Sequence, residues 1–379
     1  SAASDVYKRQ GVYPFENNLN SIGMVPISLL NKDLKWETTE QWNVGLDLGF
    51  FNERIGINVD WYMKTTRDLL LDADLSYTTG FKSAMKNVGK VRNSGVEFTL
   101  NTVNIQKNGF KWSTNFNIAF NKNEVLELTE NQTSLLTAAY FDQAYNTQPT
   151  YIAKKGYSMG MMYGYQYEGT YKYEDFYKSG DTYVLRPGVP YFSSESNTQP
   201  GMPKYKDLNG DNVVNGYDRT IIGNPEIPEI IYGFGGTLKY KKWDLSLFFQ
   251  GVAKVSLMMS DIHPFSEAGH KGYNIAQYIV DDHWSESNNV AGAAYPRLSP
   301  EFITNNAQTS TYYLRNAAFL RLKNAELGYS FFPWLRVYAA GTNLLTFSPF
   351  STWDPEMGSG NGLKYPLQRT AKIGIQFHY

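Results

Sequence analysis

The stretch from Asp207 to Asp218, DLNGDNVVNGYD, has the residue types and spacing of a cation-binding loop. Oxygen ligands spaced in this way converge on a hard cation such as Ca²⁺. The predicted ligands, with Val213 contributing its carbonyl, are Asp207, Asn209, Asp211, Val213, Asn215 and Asp218. Two positions depart from the EF-hand pattern, because Asn212 replaces a glycine and Asp218 replaces a longer glutamate. The loop therefore either binds a structural Ca²⁺ or folds on its own Asx-turn hydrogen bonds.

Catalytic chemistry is poorly supported. The four histidines, at 263, 270, 283 and 378, have neither metal-ligand spacing nor a nucleophile motif beside them, and cysteine is absent. Asp281 and Asp282 are adjacent acids in a polar stretch, which is typical of a solvated surface. We therefore expect no enzyme and no required cofactor. The net charge of -1 gives no basic stripe, so nucleic acid is not an expected partner.

Long polar stretches also carry aromatic side chains that could stack on sugars or contact a partner protein. The alternative is that each ring packs within its own loop. The residues in question are Tyr140, Tyr145, Trp284, Tyr295 and Trp353.

The elements that must position these loops are amphipathic strands. From Trp42 to Phe50, apolar residues alternate with Asn43, Gly45, Asp47 and Gly49, which is the period of a strand with one apolar face. The same alternation recurs along the chain up to its last residues, where Ile373, Ile375, Phe377 and Tyr379 share one face. Phe377 and Tyr379 are predicted to lie at a membrane interface and to serve barrel assembly.

The connections between strands fall into two classes. Short turns are predicted near 51–53, 105–109, 241–242 and 332–333, with large aromatics beside them, and long polar stretches near 65–92, 122–147, 171–228, 252–316 and 348–367. Strict alternation of short and long connections is the signature of an outer-membrane barrel, with short turns in the periplasm. The sequence contains no run of about 18 apolar residues, so it does not predict a membrane-spanning helix.

The pattern therefore predicts an all-β fold, an antiparallel transmembrane β-barrel. Strand direction must alternate, which places one weakly marked strand at Thr150–Lys154 and brings the total to about eleven. Since transporter barrels of the outer membrane have roughly 22 strands, we expect the C-terminal half of such a barrel. We expect residues 1–10 to be a non-native artefact and residues 11–379 to form the barrel part with its long extracellular loops.

Several segments together resemble one family. NKDLKWETTEQWNVGLDLGFF resembles a late barrel strand of TonB-dependent receptors, and three further segments are similar to the SusC/RagA family of TonB-linked outer-membrane proteins. Those three are YKDLNGDNVVNGYDRTIIGNPEIPEIIYGFGGTLKYKKWDLSLFFQG, FLRLKNAELGYSF and RVYAAGTNLLTFSPFSTWDPE.

The resemblance implies a 22-stranded barrel in the bacterial outer membrane that imports glycans or peptides and is powered by the TonB complex. It also implies a SusD-like surface lipoprotein as partner, with an oligosaccharide or peptide as substrate and the lipid bilayer as surroundings. The family's N-terminal plug and TonB-contacting segment are not among these residues.

Two other interpretations stay open at this point. The chain could be a soluble, secreted β-protein that binds carbohydrate with calcium, or a siderophore or vitamin receptor of the TonB-dependent type. A soluble protein would turn its apolar strand faces toward a protein interior, whereas a barrel would turn them outward to lipid. The DLNGDNVVNGYD loop and the DPE sequence at Asp354–Glu356 favour the SusC type over the second.

Overall fold

The computed structural model of the chain describes residues 8–15, 18–26, 34–74, 83–87, 89–128, 133–136, 150–260, 275, 277–288, 293–298 and 304–377. These residues are mainly strands. The helical segments are short, namely Tyr173–Asp175, Gly216–Asp218, Gln277–Asp281, Thr304–Ala307 and Pro355–Met357. None of the helices in these ranges is long and apolar enough to cross a membrane.

One large antiparallel sheet organises the molecule. Its strands are β1 (Thr38–Phe50), β2 (Ile55–Arg67), β3 (Lys90–Lys107), β4 (Phe110–Glu127), β5 (Ile230–Tyr240), β6 (Trp243–Ala253), β7 (Phe319–Phe332), β8 (Leu335–Phe347) and β9 (Thr370–Phe377). Each strand pairs with the next in chain order, so the sheet is an up-and-down meander. The predicted antiparallel barrel wall is confirmed.

Smaller strands pair apart from this sheet. They are Lys8–Phe15, Asn18–Pro26, Leu70–Asp74, Ser83–Asn87, Ser134–Leu136, Tyr151–Lys154, Met161–Gly164, Tyr167–Thr170, Phe176–Ser179, Thr182–Leu185, Tyr191–Phe192, Pro203–Tyr205, Val213–Val214, Thr220–Ile221, Ser256–Met258 and Leu314–Asn316.

The connections are sorted between the two ends of the strands, as predicted. Short turns at 51–54, 108–109, 241–242 and 333–334 lie at one end, and long connections at 68–89, 128–229, 254–318 and 348–369 begin and finish at the other. The turn at Asn108–Gly109 shows the chemistry of a tight hairpin, because both residues have positive φ, 52° and 74°. This geometry is the one that an Asn-Gly pair favours.

The strand count differs from the prediction of about eleven. A strand does form at Tyr151–Lys154, where Thr150–Lys154 was predicted, but it pairs with Met161–Gly164 and Ser134–Leu136 in a separate four-stranded sheet. Within the described residues the large sheet therefore has nine strands. A four-residue strand is too short to cross a membrane, which takes about 9–11 residues.

The register of the sheet sorts side chains into an apolar and a polar face. One row runs across eight strands through residues that are all apolar: Leu48, Ile57, Leu100, Phe116, Phe234, Phe249, Leu322 and Leu345. The adjoining row, on the opposite face, is Asp47, Asn58, Thr99, Asn117, Gly233, Gln250, Arg321 and Thr346. In these two rows the predicted alternation thus holds over eight of the nine strands.

No second sheet covers the apolar face within the described residues. Trp112 and Leu327, on interior strands, are 41% and 47% exposed. The buried hydrophobic cluster comes instead mainly from the long connections and includes Met162, Leu257 and Tyr313. In a soluble sandwich the strand faces themselves would be interlocked and buried, so the interpretation as a soluble β-protein is not supported.

Aromatic side chains gather at the end of the sheet where the short turns lie. Phe332 stacks on Trp334 at 5.3 Å between ring centres, and Trp334 stacks on Phe377 of β9 at 6.3 Å. Trp243 meets Tyr329 at 4.7 Å in the same zone. Such a band is expected where a barrel crosses the membrane interface. Tyr379 lies outside the described residues, and the assembly role of Phe377 and Tyr379 stays a prediction.

Candidate functional site

The acidic loop Asp207–Asp218 folds around its own carboxylates. The buried Asp218 carboxylate accepts hydrogen bonds from the backbone N–H groups of Leu208 and Asn215, both at 2.8 Å. Asp207 accepts from the N–H groups of Gly210 and Asn212, at 2.6 and 2.7 Å. Side chains therefore satisfy donors that the irregular backbone would otherwise leave unpaired.

Asn212 takes the left-handed conformation that its position requires, with φ 67°. Desolvation acts to raise the pKa of Asp207, but hydrogen bonds from nearby backbone N–H groups, that of Asn212 foremost, outweigh it and hold the pKa below its usual value.

Several of the predicted calcium ligands form hydrogen bonds with one another. The Val213 carbonyl accepts a hydrogen bond from the Asn215 side chain at 3.0 Å, and Asn209 donates to Asp211. Among the described residues, no group of three or more His, Cys, Asp or Glu side chains is arranged to hold a metal ion. Calcium binding therefore stays a prediction that rests on the spacing of the ligands.

The predicted loop aromatics occupy different surroundings. Trp284 is buried and packs against Gly201 and Tyr173. Tyr295 lies 5.8 Å from Tyr278 at the edge of the buried cluster. Trp353 lines an open cavity. Tyr140 and Tyr145 lie outside the described residues.

The long connections fold together rather than separately. We call the described parts of 150–229, 254–318 and 348–369 the cap. Its buried cluster takes Met162 from the first connection, Met258 from the second and Phe350 from the third. Burial raises the pKa of Tyr167, which packs against this cluster, to about 12. At neutral pH this ring is therefore uncharged and can pack as an apolar body.

Hydrogen bonds around Glu226 link the three connections. Its carboxylate accepts hydrogen bonds from the hydroxyl of Tyr151, at 2.7 Å, and from the hydroxyl of Ser359. Ser359 also accepts the backbone N–H of Met258 at 2.8 Å. One acid therefore joins the first and third connections, and its serine partner adds the second.

An ion cluster fastens the cap to the wall. Arg321 of β7 is 1% exposed, and its Nη2 donates to both carboxylate oxygens of Asp354, at 2.6 and 2.8 Å. Glu356 lies 3.3 Å from the same nitrogen and 3.8 Å from Nζ of Lys323. The DPE sequence therefore attaches the 348–369 connection to the polar face of the sheet.

A second ion cluster lies on the polar face near the short turns. Arg336 of β8 donates to Asp244 at 3.0 Å and to Glu326 at 2.7 Å, and it stacks over Tyr338 at 5.2 Å. A Cβ at Gly328 would lie 2.4 Å from the guanidinium, so glycine is what leaves room for it. Neither Arg321 nor Arg336 was predicted as a site residue, although a charged residue within an alternating strand is a usable signal.

A cavity of about 410 Å³ opens beside the Arg321–Asp354 pair. It is bounded by β7, β8 and the 348–369 connection, and its lining includes Arg321, Asn343, Thr346, Ser351, Trp353 and Arg369. A cavity of this size, with an aromatic ring and a few polar groups, has the character of a small-ligand site. Of the predicted contact residues, Trp353 is the one that the structure brings to it.

Comparison with known proteins places this geometry in context. Residues 4–250 match the family described as TonB dependent receptor-like, beta-barrel. TonB-dependent receptor P3 of Formosa agariphila is 30% identical over 396 residues, and TonB-dependent receptor SusC of Bacteroides thetaiotaomicron is 27% identical over 392 residues. These alignments cover 98% and 97% of this chain but 37% and 34% of those receptors. The chain therefore spans little more than a third of its curated relatives.

Solved structures agree with the sequence relatives. The RagAB peptide importer in its 'open-open' state superposes with a TM-score of 0.73 at 25% identity, over all of this chain and 38% of that chain. The 'closed-closed' state gives a TM-score of 0.71 at the same identity.

Proposed function

Because this chain belongs to the β-barrel family of TonB-dependent receptors, in its SusC/RagA branch, we propose that it forms part of the wall and cap of an outer-membrane importer of glycans or peptides. The chain is a protein of the bacterial outer membrane. The proposed transport is driven by the TonB complex, which would act through the plug and TonB-contacting segment that the family carries.

One observation supports the proposal above all others. The apolar row from Leu48 to Leu345 crosses eight strands without a polar interruption and is not packed against another sheet within the described residues. Such a face suits hydrocarbon, and the opposite polar face suits an aqueous lumen.

The proposed partner is a SusD-like surface lipoprotein that sits on the cap. A shared core and the Glu226 junction give the cap a defined outer surface, which a lid requires. The likeness to SusC and to the RagAB peptide importer supports this assignment, and the latter supports peptides as one substrate class. Oligosaccharides are the other class that the family resemblance implies. A siderophore or vitamin receptor is the alternative, and uptake measurements separate the two.

Uptake by cells tests the proposal directly. Cells that make the complete receptor and its SusD-like partner lipoprotein are expected to take up labelled oligosaccharides or peptides. Uptake is expected to be lost when TonB or the lipoprotein is deleted. Uptake of iron chelates or vitamins in place of these substrates would refute the assignment.

The acidic loop has a structural role within this proposal, and calcium is its candidate ion. Replacing Asp218 by alanine is expected to lower the protection of the 207–218 amides against hydrogen exchange by about 1–3 kcal/mol, because backbone donors lose their acceptor. Added calcium is expected to raise protection of the wild-type loop above its value in chelator.

The control for this loop is Asp181→Ala, which removes an exposed acid in the 176–185 hairpin. It should leave the 207–218 amides unchanged. Equal protection with calcium and with chelator would favour a loop held by Asx-turn hydrogen bonds alone.

A further inference from the structure

The cavity beside Arg321 lies between the polar face of the large sheet and the 348–369 connection. Arg321 and Thr346 are paired residues on the polar face, near the ends of β7 and β8 that lead into the long connections. The 348–369 connection, which belongs to the cap, lines the other side through Phe350, Trp353 and Pro355. The cavity therefore lies where the polar face of the large sheet meets the cap.

The charges around the cavity leave one cation without a partner. Arg321 is matched by Asp354, and Glu356 is shared between Arg321 and Lys323. Arg369 is exposed and, within the ranges that the structure describes, has no carboxylate at ion-pair distance. A guanidinium in this state can still accept a carboxylate through two parallel hydrogen bonds.

The indole of Trp353 is held in a fixed position beside that cation. Its Nε1 donates to the carbonyl of Gly358 at 3.2 Å, and Phe350 meets it edge-on at 4.8 Å. Gly362, with φ +73°, allows the chain to pass close by, since a Cβ there would lie 2.7 Å from the ring. A ring fixed in this way can stack on a ligand with little further loss of conformational freedom.

Hydroxyl groups complete the lining. Thr346 and Ser351 face the cavity, and no side-chain hydrogen bond to another described residue involves either of them. Ser348, by contrast, is engaged, because its hydroxyl donates to Ala318 and accepts from the N–H of Phe350. The cavity thus combines a fixed indole ring, two available hydroxyls and one unpaired guanidinium.

We propose that this cavity is a binding subsite for a saccharide that carries a carboxylate, with Trp353 stacking on the sugar ring and Arg369 binding the acid. The proposal rests on the import function and narrows its substrate to acidic glycans. An extended peptide is the less suitable occupant, because peptides commonly bind by adding to a free strand edge. Here β7 and β8 are paired on both sides.

Binding to the complete receptor in lipid nanodiscs tests the subsite by calorimetry. The probes are trigalacturonate, maltotriose as a neutral sugar and a glutamate-containing tripeptide. Trigalacturonate is expected to bind most tightly, and Arg369→Gln is expected to weaken it about tenfold or more, the range of a charge-assisted contact. Trp353→Ala should weaken it as well, while Trp353→Phe should restore part of the loss.

Lys372→Gln is the matched control, because Lys372 is an exposed cation three residues after Arg369, on β9, and does not line the cavity. Equal affinities in the two charge variants, or a preference for maltotriose or the tripeptide, would overturn the subsite. Uptake separates this outcome from failure of the proposed function. Import that is insensitive to Arg369→Gln would leave the importer standing without the subsite. Arg369-dependent binding without import would support the subsite and reject the importer.

Discussion

Replacing Phe249 by lysine is expected to destabilise the folded protein in a lipid bilayer by about 2–4 kcal/mol, the cost of a lysine on the lipid face near mid-membrane. Phe249 lies inside β6 in the apolar row, stacks on Phe234 at 4.9 Å and faces Leu322 on its other side. If the row faces hydrocarbon, the new ammonium group must be desolvated or must thin the bilayer to reach water.

The neighbouring residue provides the control. Gln250 is adjacent in the chain but belongs to the polar row, opposite Arg321 and Gly233. Gln250→Lys should therefore change stability much less than Phe249→Lys. The measurement is the urea dependence of folding of the complete receptor into phospholipid vesicles, followed by tryptophan fluorescence and by the gel shift of the folded form.

The comparison of the two variants decides which side of the sheet meets lipid. A larger loss for Gln250→Lys than for Phe249→Lys would mean that the polar row faces the more apolar medium. That result would remove the basis for the barrel assignment. The two substitutions differ by one position along β6, so the difference in membrane depth is small.

The large sheet was predictable because its signals are local. Alternation with a period of two marks a strand and its face within a few residues, and Asn108–Gly109 marks a hairpin within two. The bulge between Leu322 and Asn324 is local in the same way, because the apolar alternation changes phase there. Once strands are joined by short turns, their order and register follow from the chain.

The partners of isolated short strands were not predictable in the same way. Thr150–Lys154 alternates well enough to be recognised as a strand, but nothing within it specifies pairing with Met161–Gly164 in place of the wall. The cap has the same property, because Met162, Met258 and Phe350 meet across long sequence separations. Such contacts depend on tertiary packing, which local patterns do not encode.

The candidate site shows the same limit. The sequence marked Trp284 and Trp353 equally, as aromatics in long loops, yet Trp284 is buried and Trp353 lines a cavity. Asp354 was marked only by the family resemblance of the DPE segment. Its pairing with Arg321, 33 positions earlier, is a long-range contact that neither segment signals by itself.

Replacing Arg321 by alanine is expected to loosen the 348–369 connection by about 1–3 kcal/mol, less than the 3–5 kcal/mol typical of breaking a fully buried ion pair. The expected loss is smaller because the Asp354 and Glu356 side chains are 19% and 27% exposed and can regain part of their hydration. Arg321 itself is almost completely enclosed, so its loss also leaves a void between β7 and the DPE segment.

Hydrogen exchange reports this loosening at specific amides. The N–H of Glu356 donates to Asp354 at 3.0 Å, and the N–H of Ser260 donates to Gly360 at 2.9 Å, so both depend on the position of the connection. Their protection is expected to fall in Arg321→Ala, while the amides of β1 and β2 keep theirs.

The pairing itself can be isolated with a double-mutant cycle. If the Arg321–Asp354 contact carries the effect, Arg321→Ala, Asp354→Ala and the double variant should lose similar amounts of protection at the Ser260 amide, because either single change already breaks it. The Glu356 amide does not serve in this cycle, since Asp354 is its own acceptor. Additive losses would mean that the two residues act independently. The cap would then be held to the wall by its buried cluster alone. Non-additive losses would instead show that this ion pair couples the position of the cap to the barrel wall.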